Sequence, residues 1–375
     1  MTHIPVTHAG SLPRPNDLAD LIWAKMEGDS VDEAALEARV AEAVAEVVQH
    51  QREVGVDIVS DGEFSKPGFS TYVNERFTGF DGQAQFQSDD VAPFPNLAMR
   101  LFGTDSMAHV TFSNCVGPVK MHDKEAVHRD IANLKAALGG ADPSTAFMGT
   151  ISPGQIAFNY PNHHYSSHEE YLGVLADELA YEYNAIIDAG FNLQIDSPDL
   201  AMAAHSRSVG SSITSYEQHL PLAVEAINAA LVGIPKEKVR LHICWGNYAG
   251  PHHHDIALSK ILPEIVKANV GMLYPEGGNP RHSHEWRAFE EVALPDDMKV
   301  ILGVIDVKSN YIEHPQVVAD RLVRLGNIIG GERLLAGTDC GFDTFIKFSQ
   351  VDPDVAWEKL RTLAAGAELA AKQLS

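Results

Sequence analysis

His242 and Cys244 stand two residues apart in LHICWG, and Cys340 lies far along the chain in GTDCGF. Side chains at i and i+2 of a strand point to the same face, so this His and Cys can reach one ion. Glu276, in YPEGG, adds a carboxylate. One imidazole, two thiolates and one carboxylate suit a tetrahedral zinc ion. His-x-Cys alone is a weak signal, because a strand Cys is usually a small buried hydrophobe. The metal reading gains its weight from four ligand-type residues converging on consecutive strand ends. Cys115 lies outside the pattern and reads as structural. Glu285, in RHSHEW, is the rival carboxylate, but a strand end is the more rigid platform and favours Glu276. His252, His253 and His254 read as a solvated loop, since adjacent histidines cannot all face one ion. His163 and His164 fall in a loop that could line a site.

The elements that must hold these residues alternate. Eight β-rich runs are expected to be strands: Ile4–Ser11, Val56–Glu63, Ala146–Ser152, Asn192–Asp196, Val239–Gly246, Val270–Glu276, Lys299–Asp306 and Leu334–Gly341. Several are nearly continuous apolar runs, as parallel strands buried on both faces require. Between them lie helical patterns. Leu36, Val40, Val44, Val47 and Val48 share one helix face, with Ser30 and Glu33 as the expected capping box. Ser167 with Glu170 repeats that signature, and Gly190 stands where a helix C-cap glycine belongs. Eight βα units in succession predict an α/β fold: a single (β/α)8 TIM barrel over residues 1–375. Residues 79–117 break the rhythm and read as an inserted hairpin or lid. A doubly wound open sheet is the alternative, but the glycine fingerprint it often carries after its first strand is absent.

In such barrels chemistry gathers at the C-terminal strand ends. Ser11, Asp61 with Glu63, Asp196, Glu276, and Asp306 with Lys308 all fall there. The 375 residues carry 28 Lys plus Arg against 51 Asp plus Glu, a net charge of -23. That acidity argues against nucleic acid and anionic membranes as partners. The start has no secretory pattern, no run is long enough to span a membrane, and three cysteines make no disulfide framework. A soluble protein of the reducing cytoplasm is expected, with a homo-oligomer left open.

The segments THAGSLPRP, VDIVSDGE, ISPG, LQIDSPDL, LHICWGN, YPEGGNPR, LGVID and GTDCGF resemble, nearly end to end, the zinc-bearing C-terminal barrel of the cobalamin-independent methionine synthase family. The resemblance implies that His242, Cys244, Glu276 and Cys340 match the zinc ligands. It implies that Ser11, Glu63 and Asp196 match positions holding the amino and carboxylate ends of homocysteine. The sequence departs from the family in three places. The second, N-terminal barrel of the full-length enzymes is absent. Lys308, in GVIDVKSN, stands where a His serves as proton donor. The motif after the fourth strand reads Asp-Ser-Pro-Asp rather than Asp-Glu-Pro-Ala.

The implied activity is zinc-dependent thiol alkylation: methyl transfer from a methylated folate or another methyl donor to the zinc-bound thiolate of homocysteine. Coordination deprotonates a thiol whose free pKa is about 8.5. A leaving tertiary amine needs a proton, which Asp306 or Lys308 could supply. The sequence is also similar to epoxyalkane:coenzyme M transferase, which implies the alternative of adding a thiolate to an epoxide. A non-catalytic zinc- or thiol-binding protein is the third reading. Uroporphyrinogen decarboxylase shares the superfamily but uses no metal, and the four metal-type residues speak against it. The partners expected are a small-molecule thiol and an alkyl donor.

Overall fold

The structure is a computed structural model that describes residues 3–103 and 111–374. Among the described residues it forms ten strands: β1 Phe77–Ala84, β2 Phe86–Ser88, β3 Phe112–Met121, β4 Phe147–Ile151, β5 Asn192–Asp196, β6 Ser206–Ser208, β7 Val239–Ile243, β8 Met272–Pro275, β9 Lys299–Ile305 and β10 Leu334–Thr338. Six of them make one parallel sheet in the order β10-β9-β8-β7-β5-β4. Every residue of β4, β7 and β10 is buried, as helices on both faces of a parallel sheet demand.

The runs expected as the first two strands do not form regular strands. Each makes a single parallel bridge, Val6 to Ala336 of β10 and Val59 to Ala146 before β4. Side chains take over part of the ladder. Val6 N donates to Asp57 Oδ2 (2.8 Å) and Thr7 Oγ1 to the Ile58 carbonyl (3.0 Å). The two runs also touch each other, with Asp57 N and Ile58 N both donating to the Val6 carbonyl. Regular pairing stops where Gly10, Gly62 and Glu63 take positive φ.

Polar groups tie the two runs to the sheet. Arg240 of β7 is buried over the Phe147 ring (3.6 Å). It donates to Gln194 Oε1 of β5 (2.8 Å), to Thr7 Oγ1 (2.9 Å) and to the His8 carbonyl. Ala9, Tyr274, Ile301 and Leu335 form a small apolar cluster from the same elements.

The helix Glu33–Glu53 buries Leu36, Val40, Val44, Val47 and Val48, but its cap is Asp32 rather than Ser30. Asp32 accepts from Ala34 N and Ala35 N, two and three residues on, where a carboxylate two residues closer to the helix wins over Ser30. The helix His168–Asp188 starts on Ser167, which accepts from Glu170 N, and Gly190 follows it at φ 95°.

The segment expected as an insertion begins with β1, which pairs antiparallel with β3. β2 pairs instead with β6, which follows β5. A short helix, Pro95–Phe102, lies between. Residues 104–110 of the expected insertion lie outside the described residues. Asp90 is fully buried and accepts from Tyr248 Oη and from the backbone N–H of His252, His253 and His254. One carboxylate therefore fastens this segment to the loop after β7.

Candidate functional site

Parallel register brings the strand ends level: Asp196 of β5 pairs with His242 of β7, which pairs with Tyr274 of β8. Cys244 follows β7 by one residue and Cys340 follows β10 by two. Ligand atoms of His242, Cys244 and Cys340 all lie within 4.8 Å of one another, and all three residues are buried. His242 Nδ1 sits 3.2 Å from the Tyr274 carbonyl. A carbonyl only accepts, so Nδ1 carries the proton and Nε2 keeps its lone pair. That Nε2 is buried without a hydrogen-bond partner. An oriented imidazole beside two soft sulfurs is a donor set that could hold a soft divalent metal ion.

A hydrogen bond from Cys340, with His242 assisting, pulls the Cys244 thiol below its ordinary range against the effect of burial. The same bond and burial push Cys340 up. Cys244 is therefore the readier thiolate.

Glu276 lies outside that group of three. Its Oε1 accepts from Trp245 N (3.1 Å), and its Oε2 from Asn279 Nδ2 (2.7 Å) and Lys308 Nζ (3.0 Å). Burial opposes its charge, but Lys308 holds its pKa below the usual carboxylate value. Lys308 is no solvated loop residue: its side chain is 9% exposed and ion-paired to Glu276. Asp306 spends its carboxylate on the turn, accepting from Lys308 N and Ser309 Oγ. It is absent from the cavity wall, as are Lys308 and Glu276.

Glu63 and Asp196 converge on Gly149. A Cβ there would lie 3.0 Å from Glu63 Oε1 and 3.3 Å from Asp196 Oδ2. Arg14 holds the Glu63 turn by donating to its carbonyl and to that of Lys66. Burial pushes both carboxyls up; the neighbouring Asp61 adds to the rise of Glu63, and Glu63 adds to that of Asp196. Glu63 Oε2 has no partner. Ser11 packs against Gly341, where a Cβ would fall 1.9 Å from its Oγ.

These groups floor a cavity of about 540 Å³. Ser11, Glu63, Asp196, His242, Cys244 and Cys340 line its base, and Phe86, Phe102 and Phe112 of the intervening segment line it above. No Lys or Arg is among the described lining residues. Sequence reasoning missed this aromatic roof, although its phenylalanines are spaced through the segment read as an insertion. It also missed the role of His252. That residue is buried beside Asp255 and His282, while His253 and His254 are exposed as expected.

Soft donors and paired acids thus meet at the C-terminal edge of a parallel α/β sheet. No protein-family model matches the chain. Its homologues bear the names methionine synthase and 2-hydroxypropyl-CoM lyase. It is 26% identical to methionine synthase of Thermococcus kodakarensis, over 99% of this chain and 95% of that one. It is 24% identical to 2-hydroxypropyl-CoM lyase of Xanthobacter autotrophicus, over 99% and 96%. The solved structure of a B12-independent methionine synthase from Shewanella sp. W3-18-1 shares the fold, with a TM-score of 0.74 at 22% identity over 99% of each chain.

Proposed function

We propose that this chain is a zinc-dependent thiol alkyltransferase built on a single closed (β/α)8 barrel, with the segment between β1 and β3 as its lid. The Val6 and Val59 bridges support closure, and the aromatic roof supports the lid. His242, Cys244 and Cys340 hold the zinc. Glu276 is the fourth ligand once it leaves Lys308. When bound, zinc acidifies the substrate thiol so that a thiolate exists at neutral pH.

The observation that carries the reading is the pairing of a His-Cys-Cys group with two buried acids in one cavity whose described wall has no Lys or Arg. Glu63 and Asp196 bind a cationic end of the thiol substrate, and Ser11 orients it. An amino thiol such as homocysteine meets that demand. The selenomethionine complex of the Shewanella protein is a consistent ligand. The phenyl rings exclude water from the sulfur. Lys308, backed by Asp306 and released when Glu276 turns to the zinc, swings to the cavity and delivers the proton to the leaving group.

The donor is a methylated folate or another methyl donor. The apolar roof specifically favours a second reading, in which the electrophile is an uncharged epoxide, the chemistry the Xanthobacter relative's class suggests. Incubation with homocysteine and either methyl donors or small epoxides, followed by mass spectrometry of the thioether, decides between them. S-alkylation under neither condition, with zinc present at full occupancy, refutes the proposal.

A further inference from the structure

His252 and Asp255, from the loop after β7, meet His282, from the loop after β8. Their ligand atoms lie within 4.8 Å of one another and all three residues are buried. His252 Nδ1 is 2.9 Å and His282 Nε2 2.8 Å from the same oxygen, Asp255 Oδ2. The far nitrogen of each ring also faces an acceptor. His252 Nε2 lies 2.9 Å from the Tyr248 carbonyl, and His282 Nδ1 lies 3.5 Å from Glu285 Oε1.

Donor counting is informative here. A neutral imidazole has one N–H, and His252 faces acceptors at hydrogen-bond distance on both sides, so it must either carry an extra proton or give one lone pair to a cation. His282 Nδ1 is buried with no hydrogen-bond partner, so that ring finds partners on both sides only if it is charged or bound to a cation through Nε2. A second observation separates these cases. His205, after β5, is 3% exposed, and neither of its nitrogens has a hydrogen-bond partner. Its Nε2 stands 3.5 Å from Asp255 Oδ1, an oxygen that is itself buried and unpartnered. A network completed by protons alone leaves both groups unsatisfied, which buried polar groups rarely are. A cation on Asp255 recruits both. Arg281 is nearby, but it donates to the backbone carbonyls of His253 and Asp255 rather than to the carboxylate.

We propose that His252, Asp255 and His282 form a second binding site for a divalent cation of the zinc class, with the His205 ring, which stands outside that close group but 3.5 Å from Asp255 Oδ1, turning in as the fourth ligand. Imidazole and carboxylate without sulfur suit zinc, cobalt(II) or nickel(II) rather than calcium or magnesium. The outward Nε2 of His252, held by the Tyr248 carbonyl, has the outer-shell partner that metal-bound histidines usually have. Four protein ligands close the coordination sphere, which marks a structural site rather than a catalytic one. Its location gives it a task. Trp245 stacks on the His282 ring at 4.1 Å, and its backbone N donates to Glu276. The cation thus fixes the backbone directly behind Cys244 and the carboxylate nearest the sulfur pair.

The site is tested by metal counting. Chelator-stripped protein is reloaded with Zn2+, desalted and measured by mass spectrometry of the metal. Wild type is expected to hold two equivalents, Cys244→Ser/Cys340→Ser one, and Asp255→Asn or His282→Gln one. If the sulfur-site reading is wrong and this one is right, wild type holds a single equivalent that survives in the Cys variant and is lost from Asp255→Asn. X-ray absorption of zinc in the Cys variant needs no change to the His-Asp group, and a shell of nitrogen and oxygen only is expected. A zinc-free Cys variant overturns the proposal, as does undiminished zinc in both Asp255→Asn and His282→Gln.

Discussion

Replacing Lys308 with Met separates two accounts of Glu276. In the structure the Glu276 side chain is 1% exposed and, among the described residues, its ion-pair partner is Lys308, at 3.0 Å. Removing one member of a buried pair typically costs 3–5 kcal/mol, because an uncompensated charge stays behind. Trp245 N and Asn279 Nδ2 remain bonded to Glu276, so the low end, about 3 kcal/mol, is expected for the zinc-free protein. An unfolding entropy of roughly 2 cal/mol/K per residue then gives a fall in Tm of about 4 °C for a chain of this length. With zinc present, Glu276 gains a cation in place of the ammonium, and the loss should shrink below about 1 kcal/mol. Calorimetry of wild type and variant, with and without zinc, reads the difference. An equal loss in both states would mean that Glu276 never reaches the metal, and the four-ligand set would fail.

Further outcomes follow from the buried acids, the glycines and the latch. The native protein keeps a proton on Asp196 that the unfolded chain has already released, so stability falls as pH rises from the ordinary carboxylate value of 3.8 towards about 8. Asp196→Asn should flatten that slope in urea titrations at pH 5 and pH 8 while abolishing amino-thiol binding; an unchanged slope contradicts the assignment. Because Glu63 is raised as well, homocysteine affinity should weaken as pH falls below the raised range, which titration calorimetry tests. Gly341→Ala would drive a Cβ into Ser11 beside Cys340, and zinc affinity should drop on the order of tenfold, as when a supporting group is lost. Asp90→Ala removes four hydrogen bonds to a buried charge and should cost about 3 kcal/mol or more, with faster proteolysis between β2 and β3. Protease resistance equal to wild type would show that the latch is idle.

The strands with continuous apolar runs were readable because burial on both faces leaves a plain signal. Asn192–Asp196 emerges with the expected bounds, and β10 begins where expected. The first two runs were legible as extended segments but not as irregular ones. Their ladder bonds pass to Asp57 and Thr7 side chains, a substitution that hydrophobic period does not encode. His242, Cys244 and Cys340 could be placed together because period two and strand-end position fix direction. The neighbourhood of Glu276 could not, because Asn279 and Lys308 reach it from separate loops. Whether Lys308 is solvated or pointed inward was open for the same reason: local sequence gives its charge, whereas its burial against Glu276 depends on residues far along the chain. In HHHD only the first His turns inward, at φ 53°, a backbone choice that three identical residues do not announce.

The Asp90 clasp has a consequence for recombination with relatives. Asp90 follows β2, β2 pairs with β6, and Asp89 N bonds the His205 carbonyl just before β6. Residues 86–92, 205–208 and 248–255 therefore behave as one exchange unit despite lying in three stretches of chain. A chimera that transplants the first stretch alone carries a carboxylate with no amides to receive it. A library aimed at new alkyl donors should shuffle all three together.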